Sequence, residues 1–344
     1  MDYVNDISIM EAIVHVLDRN SDEPILNEYP LELNDEVYKF VLKHVERALK
    51  DEELKYARFN SADGIVKEVV QGYMEGNFNL IEASQQLASM LFTIMKNYED
   101  IESCDLMVVS LSTEFGPMVA LFKMDYVKNY IHKIEFVENK MSIKIIPQTT
   151  GLPVSSQKIQ KCAFIKAWTE NMDYDLLVMD KQGKKVSADD SGAKFFVNDF
   201  LNCTLIDSSR DLTKRFLNAT ETWTRANAVN DASKAEEIRS TIKKTLMEED
   251  NIDIKELSNN IFKNESEKQA FVDFVAAQGI EEKLPVDRQW VEKRLKRVRL
   301  KIDKEIDLYI DSSVYHDESK FEIVRNGDGS INIIIKHVMN YIEK

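Results

Sequence analysis

The chain has 344 residues, 60 acidic and 45 basic side chains, a formal net charge of −15 and 44% hydrophobic residues. That length suits about two ordinary domains with a substantial core, and no run approaches the roughly 18 apolar residues of a membrane span. A uniformly acidic surface repels nucleic acid, because affinity for DNA rests largely on Lys and Arg replacing counterions at phosphates.

The opening "MDYVNDISIM" lacks a signal peptide's basic-then-apolar layout, which makes the cytoplasm the expected location. Residues 8–17 alternate and carry β-branched side chains, as a strand does. "RNSDEP" turns the chain and "ILNEYPLEL" is extended. A helix then starts behind Asn34, a good N-cap with Asp35 and Glu36 in the first turn. Val37, Phe40, Val41, His44, Val45 and Ala48 share its apolar face, and two further helices are expected near 62–74 and 79–97.

From about 104 to 180 the pattern becomes a series of strands separated mostly by Gly, Asn and Pro turns, which predicts a largely antiparallel sheet. Cys104, Cys162 and Cys203 lie among apolar neighbours without CxxC spacing and read as reduced core thiols. "SGAKFFVNDFLNC" is expected to open a helix, and helical patterns dominate from 194 to 294. Strands return at 295–302, 305–311, 320–325 and 331–337, the last two flanking the tight-turn sequence "NGDG". The fold class is therefore α+β, with a mostly antiparallel sheet and helices in residues 1–205. A helical part, 206–344, is closed by terminal strands.

Several local patterns suggest chemistry and do not sustain it. Asp18, Asn20 and Asp22 open like an EF-hand loop, but Glu23 stands where the turn needs Gly and Tyr29 where a bidentate Glu is needed. Ser155 and Lys158 have SxxK spacing without the motifs that accompany it in acyl transfer. Asp189 with Asp190, and Glu248, Glu249 and Asp250, are adjacent carboxylates of the kind an acidic chain produces by chance. His15 and His44 sit among aliphatic residues and read as core histidines, with a shared metal or proton-transfer site as the alternative. No HExxH, GxGxxG or phosphate-loop motif occurs, and no cofactor or metal is expected.

One stretch departs from the acidic background. Residues 1–205 carry 33 acids and 21 bases, whereas 206–344 carry 27 and 24. Within the second part, Arg288, Lys293, Arg294, Lys296, Arg297, Arg299, Lys301 and Lys304 crowd into 17 positions beside only Glu292 and Asp303. "RLKRVRLKID" alternates, so Val298, Leu300 and Ile302 take one face of a strand and Arg297, Arg299 and Lys301 the other. Helical spacing of Val286, Trp290, Val291 and Leu295 makes 286–296 readable as a basic helix end feeding that strand. Same-face neighbours about 7 Å apart match the phosphate repeat along a DNA strand. The competing reading is an edge strand whose cations deter aggregation.

Three segments, "SGAKFFVNDFLNC", "YDLLVMDKQ" and the run from "IDIKELSNNIF" through "QWVEKRLKRVRLKIDKEIDLYIDSSVY", together resemble the bacterial nucleoid-associated protein family typified by YejK. "EAIVHVLD" and "FVLKHVERAL" match its N-terminal pattern, so the likeness covers nearly the whole chain. The resemblance implies a cytoplasmic protein of the nucleoid that binds DNA without catalysis, and it transfers no set of DNA-contacting residues. The expected function is thus non-catalytic DNA binding through phosphates, by a homo-oligomer, a dimer being the simplest, with no membrane partner. A scaffold reaching the nucleoid through another protein is the second reading, and a metal-dependent nucleic-acid enzyme the third.

Overall fold

The computed structural model describes residues 4–60, 64–154, 157–170, 172–181, 194–229, 231–302, 305–315 and 317–340. Ser155, Asp189, Asp190, Asp303 and Lys304 lie outside them. The fold is α+β, and the chain divides into two compact units, with the boundary in the sequence between Ile206 and Asp207.

The first unit begins with β1 (Ile7–Leu17), α1 (Asp35–Leu49), β2 (Lys55–Phe59), α2 (Ile65–Met74) and α3 (Leu80–Asn97). Side-chain caps start two of its helices. Asn34 accepts from the backbone N–H groups of Glu36 and Val37, and Asn79 with Glu82 forms a reciprocal capping box. Next come β3 (Cys104–Thr113), β4 (Gly116–Asp125), β5 (Val127–Val137) and β6 (Lys140–Gly151). The unit closes with β7 (Lys161–Lys166), β8 (Leu176–Asp180) and β9 (Cys203–Ile206).

Seven of these strands form one antiparallel sheet in the order β1-β3-β4-β7-β8-β2-β9. Ile13, Leu106, Val108, Leu121, Ile165 and Val178 face α2 and α3 across one core, and the three cysteines are buried. Burial pushes the Cys104 and Cys203 thiols up to about 12. On the opposite face, His44 and Ala48 of α1 lie beside Met179. Helices cover both faces, so the inner strand β3 is buried almost throughout rather than on alternate residues.

Two expectations are corrected here. "SGAKFFVNDFLNC" does not open a long helix: Phe196–Phe200 form a single π-helical turn and the chain enters β9 three residues later. Phe196 and Phe200 have helical spacing because they fill the core beneath α3, not because a helix continues. The strands of 104–180 do not all share one sheet either, since β5 and β6 form a separate two-stranded ribbon. A tight turn at Glu138 and Asn139, both with positive φ, joins them.

The second unit contains α4 (Ser209–Asn227), α5 (Ala232–Glu248), β10 (Asn251–Asp253), α6 (Ile254–Ile261), α7 (Glu265–Ala277), β11 (Lys283–Pro285) and α8 (Arg288–Leu295). It ends with the hairpin of β12 (Arg297–Ile302) and β13 (Ile306–Asp311), the short α9 (Ser312–Tyr315), and the hairpin of β14 (Phe321–Arg325) and β15 (Ile331–Ile335). Gly327 and Gly329 take positive φ in the NGDG turn, which side chains with a Cβ rarely adopt. Trp223, Phe262, Phe271 and Phe274 cluster with ring centroids 5.4–6.4 Å apart at the centre of the helical core.

Candidate nucleic-acid interface

The basic stretch is held by its apolar half. Asp287 caps α8 by accepting from the Trp290 N–H at 2.9 Å, and its own N–H donates to Thr213 Oγ1 at 3.0 Å. Trp290, Val291 and Leu295 are buried in the helical core, which leaves Glu292, Lys293, Arg294 and Lys296 exposed. Lys293 and Arg294 lie in the last turn, where positive charge suits the helix dipole. In β12, Val298 is 4% exposed and Leu300 and Ile302 are half-buried, while Arg297, Arg299 and Lys301 are exposed. The arrangement is a basic helix end leading directly into a strand with basic residues on its outer face.

Strand β13 adds what the linear sequence conceals. Its register puts Asp311 opposite Arg297, Tyr309 opposite Arg299 and Asp307 opposite Lys301, so two carboxylates share the basic face. Arg299 donates to both oxygens of Asp307, at 3.1 and 3.2 Å, and lies 5.2 Å over the Tyr309 ring. The Arg299 bond and charge hold the Asp307 carboxyl below its ordinary range. Asp311 is also lowered, first by the Ser313 hydroxyl and N–H and then by the charges of Lys296 and Arg297. Arg288 turns away, donating to Asp250 at 3.3 Å and to the Glu248 carbonyl at 3.2 Å. The exposed cations free to meet a polyanion without displacing such a fork are therefore concentrated at Arg294, Lys296, Arg297 and Lys301.

A second polar cluster, not singled out by sequence, ties the terminal elements to α5. Glu221 accepts from Arg225 at 2.7 Å and from Arg239 at 2.8 and 3.0 Å. Arg325 of β14 pairs with Glu236. Lys243 lies 5.5 Å from the Tyr315 ring, and burial with the nearby Arg239 charge pulls its pKa down. Apart from the i, i+4 pair of Glu221 and Arg225, these partners are far apart in the chain and carry no local signal.

The two histidines are held separately. His15 accepts from the Asn27 N–H at Nδ1 (3.0 Å) and donates from Nε2 to Ser84 Oγ (2.9 Å), whose hydroxyl donates to the Ile81 carbonyl. Burial lowers its pKa to about 4. His44 donates from Nε2 to the Pro153 carbonyl at 3.1 Å and meets the Phe40 ring edge-on at 4.7 Å. His15 faces α3 and His44 belongs to the helix on the other side of the sheet, so they share no site. Among the described residues no cluster of three or more His, Cys, Asp or Glu is arranged to hold a metal ion, and no helix is long and apolar enough to cross a membrane.

A model of the family described as nucleoid-associated protein YejK matches residues 13–343, nearly the whole chain. No curated protein matches the chain.

Proposed function

We propose, for a chain that belongs to the nucleoid-associated protein YejK family, that it binds duplex DNA directly and without chemistry of its own, through phosphate contacts from the α8–β12 stretch. One observation carries the reading: the apolar half of this stretch is locked into the helical core, and its cations are left exposed in the less acidic part of the chain. Contacts of this kind position a protein on DNA and read no sequence. Arg294, Lys296, Arg297 and Lys301 are the primary contacts, with Lys293 beside them on α8 and Lys304 next in sequence. Arg299 and Arg288 join only by exchanging Asp307 and Asp250 for phosphate. A patch this small makes few phosphate contacts, so two copies acting together bind more tightly. The working compartment is the cytoplasm.

A second reading is supported by Asp307 and Asp311 on the same face: a mixed-charge ribbon also suits a protein partner that itself sits on the nucleoid. Binding of the purified protein to plain duplex, titrated against salt, separates the two. Direct phosphate contact makes log affinity fall linearly with log salt at about −0.9 per phosphate neutralised. Replacing Arg294, Arg297, Arg299 and Lys301 by Gln weakens binding alike on every duplex sequence and makes the slope shallower by up to about four units per protomer. If the stretch only protects an edge, the folded variant binds as before and precipitates more readily. Unchanged affinity and slope overturn the proposal, and metal-dependent cleavage of the duplex would replace it with an enzyme.

A further inference from the structure

The β5–β6 ribbon presents an uncovered apolar face. Its register sets His132 opposite Ile145, Ile134 opposite Ile143 and Phe136 opposite Met141, all on one side. Tyr130 and Pro147 extend that side toward the ribbon's base. Ile134 is 55% exposed, Ile143 66%, Phe136 73% and Ile145 76%. The other side carries the ribbon's ion pairs, with Lys133 opposite Lys144 and Glu135 pairing with both, although Ile131 opposite Ile146, and Val137, also lie on it. The first side is the more continuously apolar of the two, yet its side chains stay exposed among the described residues.

Such a face is costly if left in water. A lone two-stranded ribbon is marginally stable, and single-chain proteins rarely expose an apolar patch of more than a few hundred Å². We infer that the apolar face of the β5–β6 ribbon packs against the same face of a second copy of this chain, joining two protomers through a two-fold pairing of ribbons.

Charge and area select this occupant. The part of the chain before residue 206 has 33 acids against 21 bases, so copies repel over most of its surface. The ribbon is an exception, since residues 127–151 hold four lysines and two glutamates. The register places no acidic side chain on its apolar face; His132 lies midway and the Lys128 ammonium stands 5.5 Å from the Tyr130 ring at the ribbon's base, so two such faces meet mainly through uncharged side chains. At roughly 90 Å² per exposed apolar side chain, seven residues from each copy bury about 1,300 Å² in all, inside the standard range for specific interfaces. Stacked sheets lie about 10 Å apart, close enough for these side chains to interdigitate. A duplex fits less well, because minor-groove binders insert one or two apolar wedges and surround them with cations. Here the apolar residues run the length of the face.

The inference does not depend on the DNA reading and is tested apart from it. The ribbon is an insertion between β4 and β7, which pair directly with each other. Removing residues 127–151 therefore leaves the main sheet intact. The mass of the full chain in solution is measured by light scattering, with thermal unfolding as the check on folding. The intact chain has twice the 39.8 kDa protomer mass. Ile134→Asp with Ile143→Asp, and separately the ribbon deletion, give folded monomers, while Lys140→Gln on the ion-paired side stays dimeric. A monomeric intact chain overturns the inference, and so does a deletion variant that remains a dimer. If the intact chain is a monomer and the Asp pair instead abolishes duplex binding, the face serves DNA and the inference fails.

Discussion

Arg299 holds Asp307 in a two-bond fork across the β12–β13 hairpin, Nε to Oδ1 at 3.1 Å and Nη2 to Oδ2 at 3.2 Å. The pair is exposed, so its own contribution to stability is small. Its effect on the surface is larger, because it removes a cation from the centre of the outer face of β12. Asp307→Asn releases that cation and eliminates a charge that repels phosphate. The expected result is a several-fold rise in duplex affinity at moderate salt and a salt slope steeper by about one unit. A fluorescence-anisotropy titration across a salt series checks it, and lower affinity in the folded variant contradicts phosphate binding on this face.

His44 belongs to the core of the first unit. It is 1% exposed, donates to the Pro153 carbonyl and keeps a buried Nδ1 with no partner among the described residues. His44→Leu loses one hydrogen bond and also removes that unsatisfied atom, so stability shifts by only about 1 kcal/mol in either direction. Duplex binding stays within a few-fold of the parent. Loss of binding at an unchanged melting temperature would make His44 a site residue.

His15 predicts a pH effect with a definite sign. Its Nδ1 accepts a backbone N–H, so the fold requires the neutral ring, and burial places its pKa at about 4 against 6.5 in the unfolded chain. A group depressed in this way contributes its full stability above pH 6.5. That contribution is lost as pH falls toward 4, because only the unfolded state takes up the proton. Between pH 7 and 5 the loss is about 2 kcal/mol. His15→Asn keeps an acceptor in the ring Nδ1 position and cannot titrate. Urea unfolding at the two pH values should therefore show a flatter dependence in the variant than in the parent, and equal dependence would show that the ring is not held neutral.

The sequence alone determined what depends on a few neighbouring residues. Asn34 marked the start of α1 because a short polar side chain satisfies backbone N–H groups two and three positions ahead. NGDG marked the β14–β15 turn because two of its positions need positive φ. The alternation of Val298, Leu300 and Ile302 with Arg297, Arg299 and Lys301 fixed which side of β12 meets the core, since successive strand residues point to opposite faces. The five-residue strand β2 carries no sequence signal, because "KYARF" is too short and too polar to display a period. Tertiary structure decided the rest. It inserted β2 between β8 and β9, set β5 and β6 apart from the main sheet, and brought Asp307 and Asp311 onto the face that carries the cations. These outcomes follow from strand order and register, which are set by which distant segments bury their apolar sides together, and a window of local residues holds no record of that choice.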